Sequence, residues 1–138
     1  MIQSIGMLST LSQQDLENLS LFCQKKTVQR GEILFEQGDE ANAMYILTVG
    51  EFEVYRTHLS EKQFLGEVHA EEVLGEMALF GESGKRMASA RALVDSELVV
   101  LLDFSIKEMT EKYPELLQKL KEIIEIRNEQ NKMKMNND

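Results

Sequence analysis

The chain has one cysteine, one proline, no tryptophan and two histidines in 138 residues, and these scarcities close off whole classes of protein. Cys23 alone makes no internal disulfide, which excludes a disulfide-stapled scaffold. It stands on what reads as the apolar side of a helix, where a small buried hydrophobe is the expected role. His58 and His69 fall in no H-x-H or H-E-x-x-H pattern, so no metal site is expected and both are read as surface residues. The longest apolar run, Leu98 to Leu102, is far below the about 18 residues of a membrane span. Met1-Ile2-Gln3-Ser4 lacks the basic stretch and apolar core of a signal peptide, so a cytoplasmic location is expected. Basic residues are also few: 15 Lys and Arg stand against 24 Asp and Glu, a net charge of −9. Such a surface repels phosphate backbones and anionic lipid at long range, which argues against nucleic acid or membrane as a direct partner. A small anion remains compatible, because a pocket depends on local donors.

What is present suffices for one domain. With 43% hydrophobic residues, 138 positions bury one core and are too few for two ordinary domains. Ser12 followed by Asp15, with Leu11 and Leu16 at the staple positions, starts a short amphipathic helix of about 11 residues carrying Leu16, Leu19, Phe22 and Cys23. From Lys26 to Asp103 the texture is β. Strands are read at Lys26 to Gln29, Glu32 to Phe35, Ala43 to Val49, Phe52 to Thr57, Phe64 to Val68, Arg86 to Val94 and Glu97 to Leu102. Turn residues separate them, including Gln37-Gly38-Asp39, Gly50-Glu51 and Ser60-Glu61-Lys62, and this spacing predicts a β-sandwich or barrel of the jelly-roll kind.

The last third changes period. Phe104 to Lys112 reads as a helix, and Pro114 opens another with Leu116, Leu117, Leu120, Ile123 and Ile124 as its stripe. The stripe covers about two heptads, short of the three to four that would specify a coiled coil, so a homodimer through this helix stays open. After Arg127 the sequence is polar, and residues 128–138 are expected to fray or be disordered, leaving 8–127 as the domain.

The most informative stretch is Gly75-Glu76-Met77-Ala78-Leu79, followed after a loop by Arg86-Met87-Ala88-Ser89. A glycine admits close backbone approach, a helix start offers N–H groups to an anion, and an arginine completes the charge. Gly-Glu occurs five times, at Gly31, Gly50, Gly66, Gly75 and Gly81, so the dipeptide alone means little. Only the copy at Gly75 precedes an apolar triplet and then the basic pair Lys85-Arg86.

A second block, Phe35-x-x-Gly38-Asp39 with Met44-Tyr45-Ile46-Leu47 and Gly50-Glu51-Phe52-Glu53-Val54, lies upstream. Together the two blocks resemble the cyclic nucleotide-binding domain family, shared by catabolite activator proteins, cyclic nucleotide-dependent kinases and gated channels. The resemblance implies a mainly β fold: an eight-stranded β-roll with an N-terminal helix, a short helix inside a phosphate-binding cassette, and C-terminal helices. It implies that Glu76 bonds the ribose 2′-hydroxyl and Arg86 the cyclic phosphate. The backbone of Gly75, Glu76, Met77 and Ala78 would offer N–H groups to the same anion, with Met87 and Ala88 beside it.

Several positions depart from the family pattern. Lys85 replaces a frequent proline, and the loop from Gly75 to Arg86 is one residue longer than in kinase-type cassettes. Glu71 stands where glycine is frequent, so that turn is expected to be built differently. Met87 follows the arginine where relatives often have Ser, Thr or Ala; it cannot supply the hydroxyl associated with guanine preference, which favours cyclic AMP over cyclic GMP as ligand. The resemblance thus implies a regulatory sensor without cofactor or catalytic residues, acting through its C-terminal helices on a separate protein effector. A ligand-free interaction module that keeps the roll is the first alternative, and a cupin-like metalloenzyme, lacking histidine ligands, the second.

Overall fold

The alternation of strand formers and turn residues resolves into two four-stranded antiparallel sheets. The computed structural model describes residues 5–76 and 84–136, with side chains as far as Glu129. A 3-10 turn (Gly6–Leu8) and helix α1 (Gln13–Ser20) lead into strands β1 (Cys23–Val28), β2 (Ile33–Phe35), β3 (Ala43–Val49) and β4 (Glu51–His58). Strands β5 (Glu61–His69), β6 (Val73–Leu74), β7 (Ser89–Ala92) and β8 (Ser96–Leu102) follow, then helices α2 (Asp103–Lys112) and α3 (Pro114–Asn136). One sheet has the order β1-β8-β3-β6 and the other β2-β7-β4-β5. This is the eight-stranded roll with flanking helices.

Strands β3 and β8 are apolar almost throughout because each serves two cores. Met44 and Ile46 of β3, with Val99 and Leu101 of β8, point to the helices, where they meet Leu8, Leu16, Leu19, Met109, Leu120 and Ile124. Ala43, Tyr45 and Leu47, with Leu98 and Val100, point between the sheets onto Phe52, Leu74, Ala90 and Ala92. Strand β4 has one such face only, and there the fully buried Phe52 sits between partly exposed glutamates.

Several expectations are corrected. The Ser12 hydroxyl does accept the Asp15 N–H, at 3.1 Å, yet α1 has eight residues and ends before Leu21. Cys23 therefore belongs to β1, paired with Leu101, and not to a helix; it is half-buried, and burial pushes its thiol pKa up to about 12. The β4–β5 turn is Leu59-Ser60, both at positive φ, one residue earlier than read, because His58 pairs with Glu61 and leaves a two-residue hairpin loop. Strand β7 is shorter than Arg86 to Val94, since Arg86 bonds to the Gly38-Asp39 turn instead of a neighbouring strand. The two-residue β6 was not legible at all.

Two further differences bear on the site. Glu71 adopts φ 68°, the left-handed conformation a glycine takes without strain, so this turn has the glycine-like backbone and not a different one. Its carboxylate accepts the Met7 N–H at 2.9 Å, and its own N–H donates to the Leu47 carbonyl; these bonds offset a backbone cost of about 1–2 kcal/mol. The polar segment after Arg127 was expected to fray, whereas α3 continues to Asn136. A helix already anchored by Leu116, Leu117, Leu120 and Ile124 propagates at the small cost of one residue per added bond.

Candidate functional site

Arg86 is the only arginine of the buried set, 4% exposed, and no carboxylate lies within ion-pair distance of it among the described residues. Its Nη2 donates to the Ala43 carbonyl at 2.6 Å and its Nη1 to the Gly75 carbonyl at 3.2 Å. Its Nε is buried and has no partner among the described residues. The guanidinium lies 4.2 Å above the centre of the Phe35 ring, and Phe35 stacks in turn on Tyr45 at 6.1 Å. Burial pushes the Arg86 pKa below its ordinary value, while Tyr45, Asp39 and Glu76 pull it back up.

The upstream block and the cassette, distant in sequence, meet here. The Arg86 N–H donates to the Asp39 carbonyl at 2.7 Å, and the Gly38 N–H donates to the Arg86 carbonyl at 2.9 Å. Ala41 N–H reaches the Gly84 carbonyl at 3.0 Å, and Glu40 and Lys85 form a single β-bridge. Gln37 fastens the other flank: its N–H donates to the Ser89 hydroxyl and its side-chain oxygen accepts the Thr57 N–H, both at 2.8 Å. Gly38 permits the turn by taking φ 93°. The order of these bonds fixes the backbone on both sides of Arg86, so the guanidinium direction is set by the roll.

Gly75 cannot carry a side chain, for two reasons. Its φ is 67°, and a Cβ there would stand 2.2 Å from Arg86 Nη1. Glu76, half-buried, accepts a hydrogen bond from the Asn128 side-chain amide of α3 at 3.1 Å. Met77 and Ala78 lie outside the described residues, as do residues 79–83 and with them the short helix expected inside the cassette. Met87 is 76% exposed and borders an open groove of about 520 Å³ with Gln37, Gly38, Arg56, Thr57, His58, Gln63 and Arg86. Ala88 is half-buried beside the buried Ser89. Among the predicted residues, the structure brings Gly75, Glu76 and Arg86 together and leaves the Met87 side chain on the open side.

Three participants went unread in the sequence. The sequence marks Phe35 as a motif residue and gives it no role, and the Ala43 carbonyl is invisible to side-chain reasoning. Asn128 was assigned to the tail. A signal for it did exist, since Leu116, Leu120, Ile124 and Asn128 recur at i, i+4 and so share one face of a continued helix. Among the described residues no group of three His, Cys, Asp or Glu side chains is placed to hold a metal. No described helix is long and apolar enough to cross a membrane.

A β-roll with a buried arginine between two glycine turns offers an anion a preformed cation in a low-dielectric place. The chain belongs to the cyclic nucleotide-binding domain family, whose model matches residues 25–113. A cyclic AMP receptor protein of Thermus thermophilus is 34% identical over 92 residues, 66% of this chain and 42% of that protein. The crystal structure of the Thermus thermophilus catabolite activator protein superposes with a TM-score of 0.74 at 26% identity, over 94% of this chain and 61% of that one. A cyclic nucleotide-binding domain from Methylobacillus flagellatus reaches a TM-score of 0.82 over 95% of this chain and 76% of that one; at 19% identity it speaks for the fold alone. The chain spans less than half the length of the curated relatives it matches.

Proposed function

We propose that this chain is a regulatory module that binds a cyclic nucleotide, cyclic AMP in preference to cyclic GMP, and performs no catalysis of its own. The observation that carries this reading is Arg86: a residue 4% exposed that has, among the described residues, no carboxylate partner and an idle Nε. Burying a cation in this state is costly, and natural sites keep such a group where an anion repays it. The cyclic phosphate is that anion, and Gly75, without a side chain, lets the guanidinium lie against its backbone. Glu76 accepts the ribose 2′-hydroxyl, while Met77 and Ala78 contribute backbone N–H groups. Met87 supplies no hydroxyl to a guanine, and Ala88 keeps the wall thin.

The module acts in the cytoplasm, and the C-terminal helices relay binding to a separate protein effector. A ligand shifts such a relay only by its differential affinity for the two arrangements of the helices. Nucleic acid is not a direct partner of this segment, whose net charge of −9 opposes it. A second reading, a roll that no longer takes a ligand, is favoured by one observation. The Arg86 guanidinium already holds two backbone carbonyls, at 2.6 and 3.2 Å.

Calorimetric titration with cyclic AMP and cyclic GMP separates the two. We expect micromolar or tighter binding of cyclic AMP, weaker binding of cyclic GMP, and a loss of about 1.5–3 kcal/mol in Arg86→Ala, the worth of hydrogen bonds to a charged group. Absence of heat with either nucleotide would establish the ligand-free module instead.

A further inference from the structure

Strand β7 is paired with β4 from Ala92 back to Ser89 and leaves it just where the site residues begin. The register sets Phe52 opposite Ala92, Glu53 opposite Arg91, Val54 opposite Ala90 and Tyr55 opposite Ser89; carried on, it would set Thr57 opposite Met87. Alternate residues of an antiparallel strand turn both backbone groups to the same neighbour. On β4 these include Glu51, whose carbonyl accepts the Leu93 N–H at 2.9 Å, and by the same alternation Thr57. Thr57 meets a side chain there instead of a strand. Its N–H donates to Gln37 Oε1 at 2.8 Å, and its carbonyl accepts from Gln37 Nε2 at 3.4 Å. The Gln37 amide, one acceptor and one donor side by side, thus occupies the ladder as a peptide group would. Upstream of Ser89 the chain pairs with the turn after β2: Arg86 with Gly38 and Asp39, and Lys85 with Glu40.

We infer that Gln37 is a positioning residue, a wedge that keeps the Arg86–Met87 segment off β4 and so holds open the groove beside Arg86. Its own N–H is fastened to the Ser89 hydroxyl at 2.8 Å, the last β7 residue still paired with β4, so the amide enters the ladder directly beyond that pair. With the wedge in place Met87 stays 76% exposed, and a groove of about 520 Å³ lies between it, Arg56 and Thr57. Without the wedge, Thr57 presents an unpaired N–H and carbonyl at an open strand edge. The register brings the Met87 backbone to them. Zipping Met87 onto β4 fills the groove and draws Arg86 from the Gly38-Asp39 turn that fixes its direction. The role rests on the proposed grip of Arg86 on a cyclic phosphate, and Gln37 acts on that grip through the backbone around Arg86.

The test uses the full chain, with cyclic AMP as probe, in the native form and as two variants. Gln37→Met keeps the length and loses the amide; Gln37→Glu keeps an acceptor for the Thr57 N–H and loses the donor to its carbonyl. Gln37 lies at the surface, so both variants should fold. In unliganded Gln37→Met the Met87 amide should exchange about tenfold more slowly than in the native chain, because it has entered the ladder. Cyclic AMP should bind that variant about three- to tenfold more weakly. Gln37→Glu should fall between the two on both measures. A side chain that merely stiffened the loop would quicken exchange on both sides of it and never slow Met87. Unchanged or faster exchange at Met87, with water replacing the amide at Thr57, overturns the inference, and so does undiminished affinity in Gln37→Met. Failure of the native chain to bind either cyclic nucleotide overturns the proposed function instead, while exchange at Met87 still decides whether Gln37 is the wedge.

Discussion

The two halves of the candidate site are built in opposite ways. Around Arg86 every constraint comes from the roll: carbonyls of Ala43 and Gly75, the ring of Phe35, and backbone bonds to Gly38 and Asp39. Around Glu76 the side-chain bond found among the described residues comes from helix α3. The first half is buried and over-determined, so it suits recognition. The second is half-buried and, among the described residues, held by one side-chain bond, so a change of about 0.5–1.5 kcal/mol there is a large part of what holds it. A sensor needs both, because a rigid grip alone would report nothing, and a loose contact alone would select nothing.

Gly75→Ala should disturb the Arg86 half of the site most severely. An alanine there pays about 1–2 kcal/mol for left-handed backbone, and its Cβ displaces the Arg86 guanidinium, adding about 1 kcal/mol for the lost bond. Thermal unfolding should show the loss in stability, and calorimetry at least a tenfold loss of nucleotide affinity. A variant as stable and as avid as the native chain would show that the grip does not depend on this close approach.

Phe35→Leu sharpens the contrast at intermediate size. It keeps an apolar side chain but removes the ring beneath the guanidinium, worth about 0.5–2 kcal/mol. Affinity should fall several-fold while the exchange behaviour of the distal α3 amides in the unliganded chain stays as it was. Equal disturbance of both would mean that the halves are not independent.

The smallest effect is expected at the root of α3, where Lys119 bonds Asp15 of α1 at 2.9 Å. The Lys119 partner lowers the Asp15 pKa below its ordinary 3.8, so the pair's contribution is present above that value and fades as pH falls through the lowered one. Lys119 is raised by the same contact, so its contribution is present below its unfolded pKa and fades as pH rises through the raised one. Lys119 is exposed and Asp15 only half-buried, so the pair is screened, and Asp15→Asn should shift the unfolding midpoint little between pH 5 and 8. A large shift would place the anchoring of α3 in this ion pair and not in its apolar seam.

Much of the architecture was legible because its causes are local. Alternation at Phe52 and Val54, continuous apolar runs at β3 and β8, and Gly-rich turns between them each reflect how a single segment meets the core. The errors fell where a partner segment decides. Cys23 looked helical because Leu16, Leu19, Phe22 and Cys23 keep a helical spacing, yet pairing with Leu101 on β8 draws it into a strand. Glu71 looked incompatible with a glycine turn until the Met7 N–H supplied a reason for it to be there. Asn128 looked like tail because polarity says nothing about a carboxylate arriving from 52 residues away.

By itself the sequence determined seven of the eight strands, the starts of the helices and the two motif blocks, since periodicity and turn chemistry act over a few residues. Only the tertiary structure decided that Arg86 is buried between two carbonyls and an aromatic ring, and that Glu76 answers to α3. Those facts depend on which distant segments share a volume, and a carbonyl, a ring and an amide become partners only when folding brings them within hydrogen-bond or van der Waals reach.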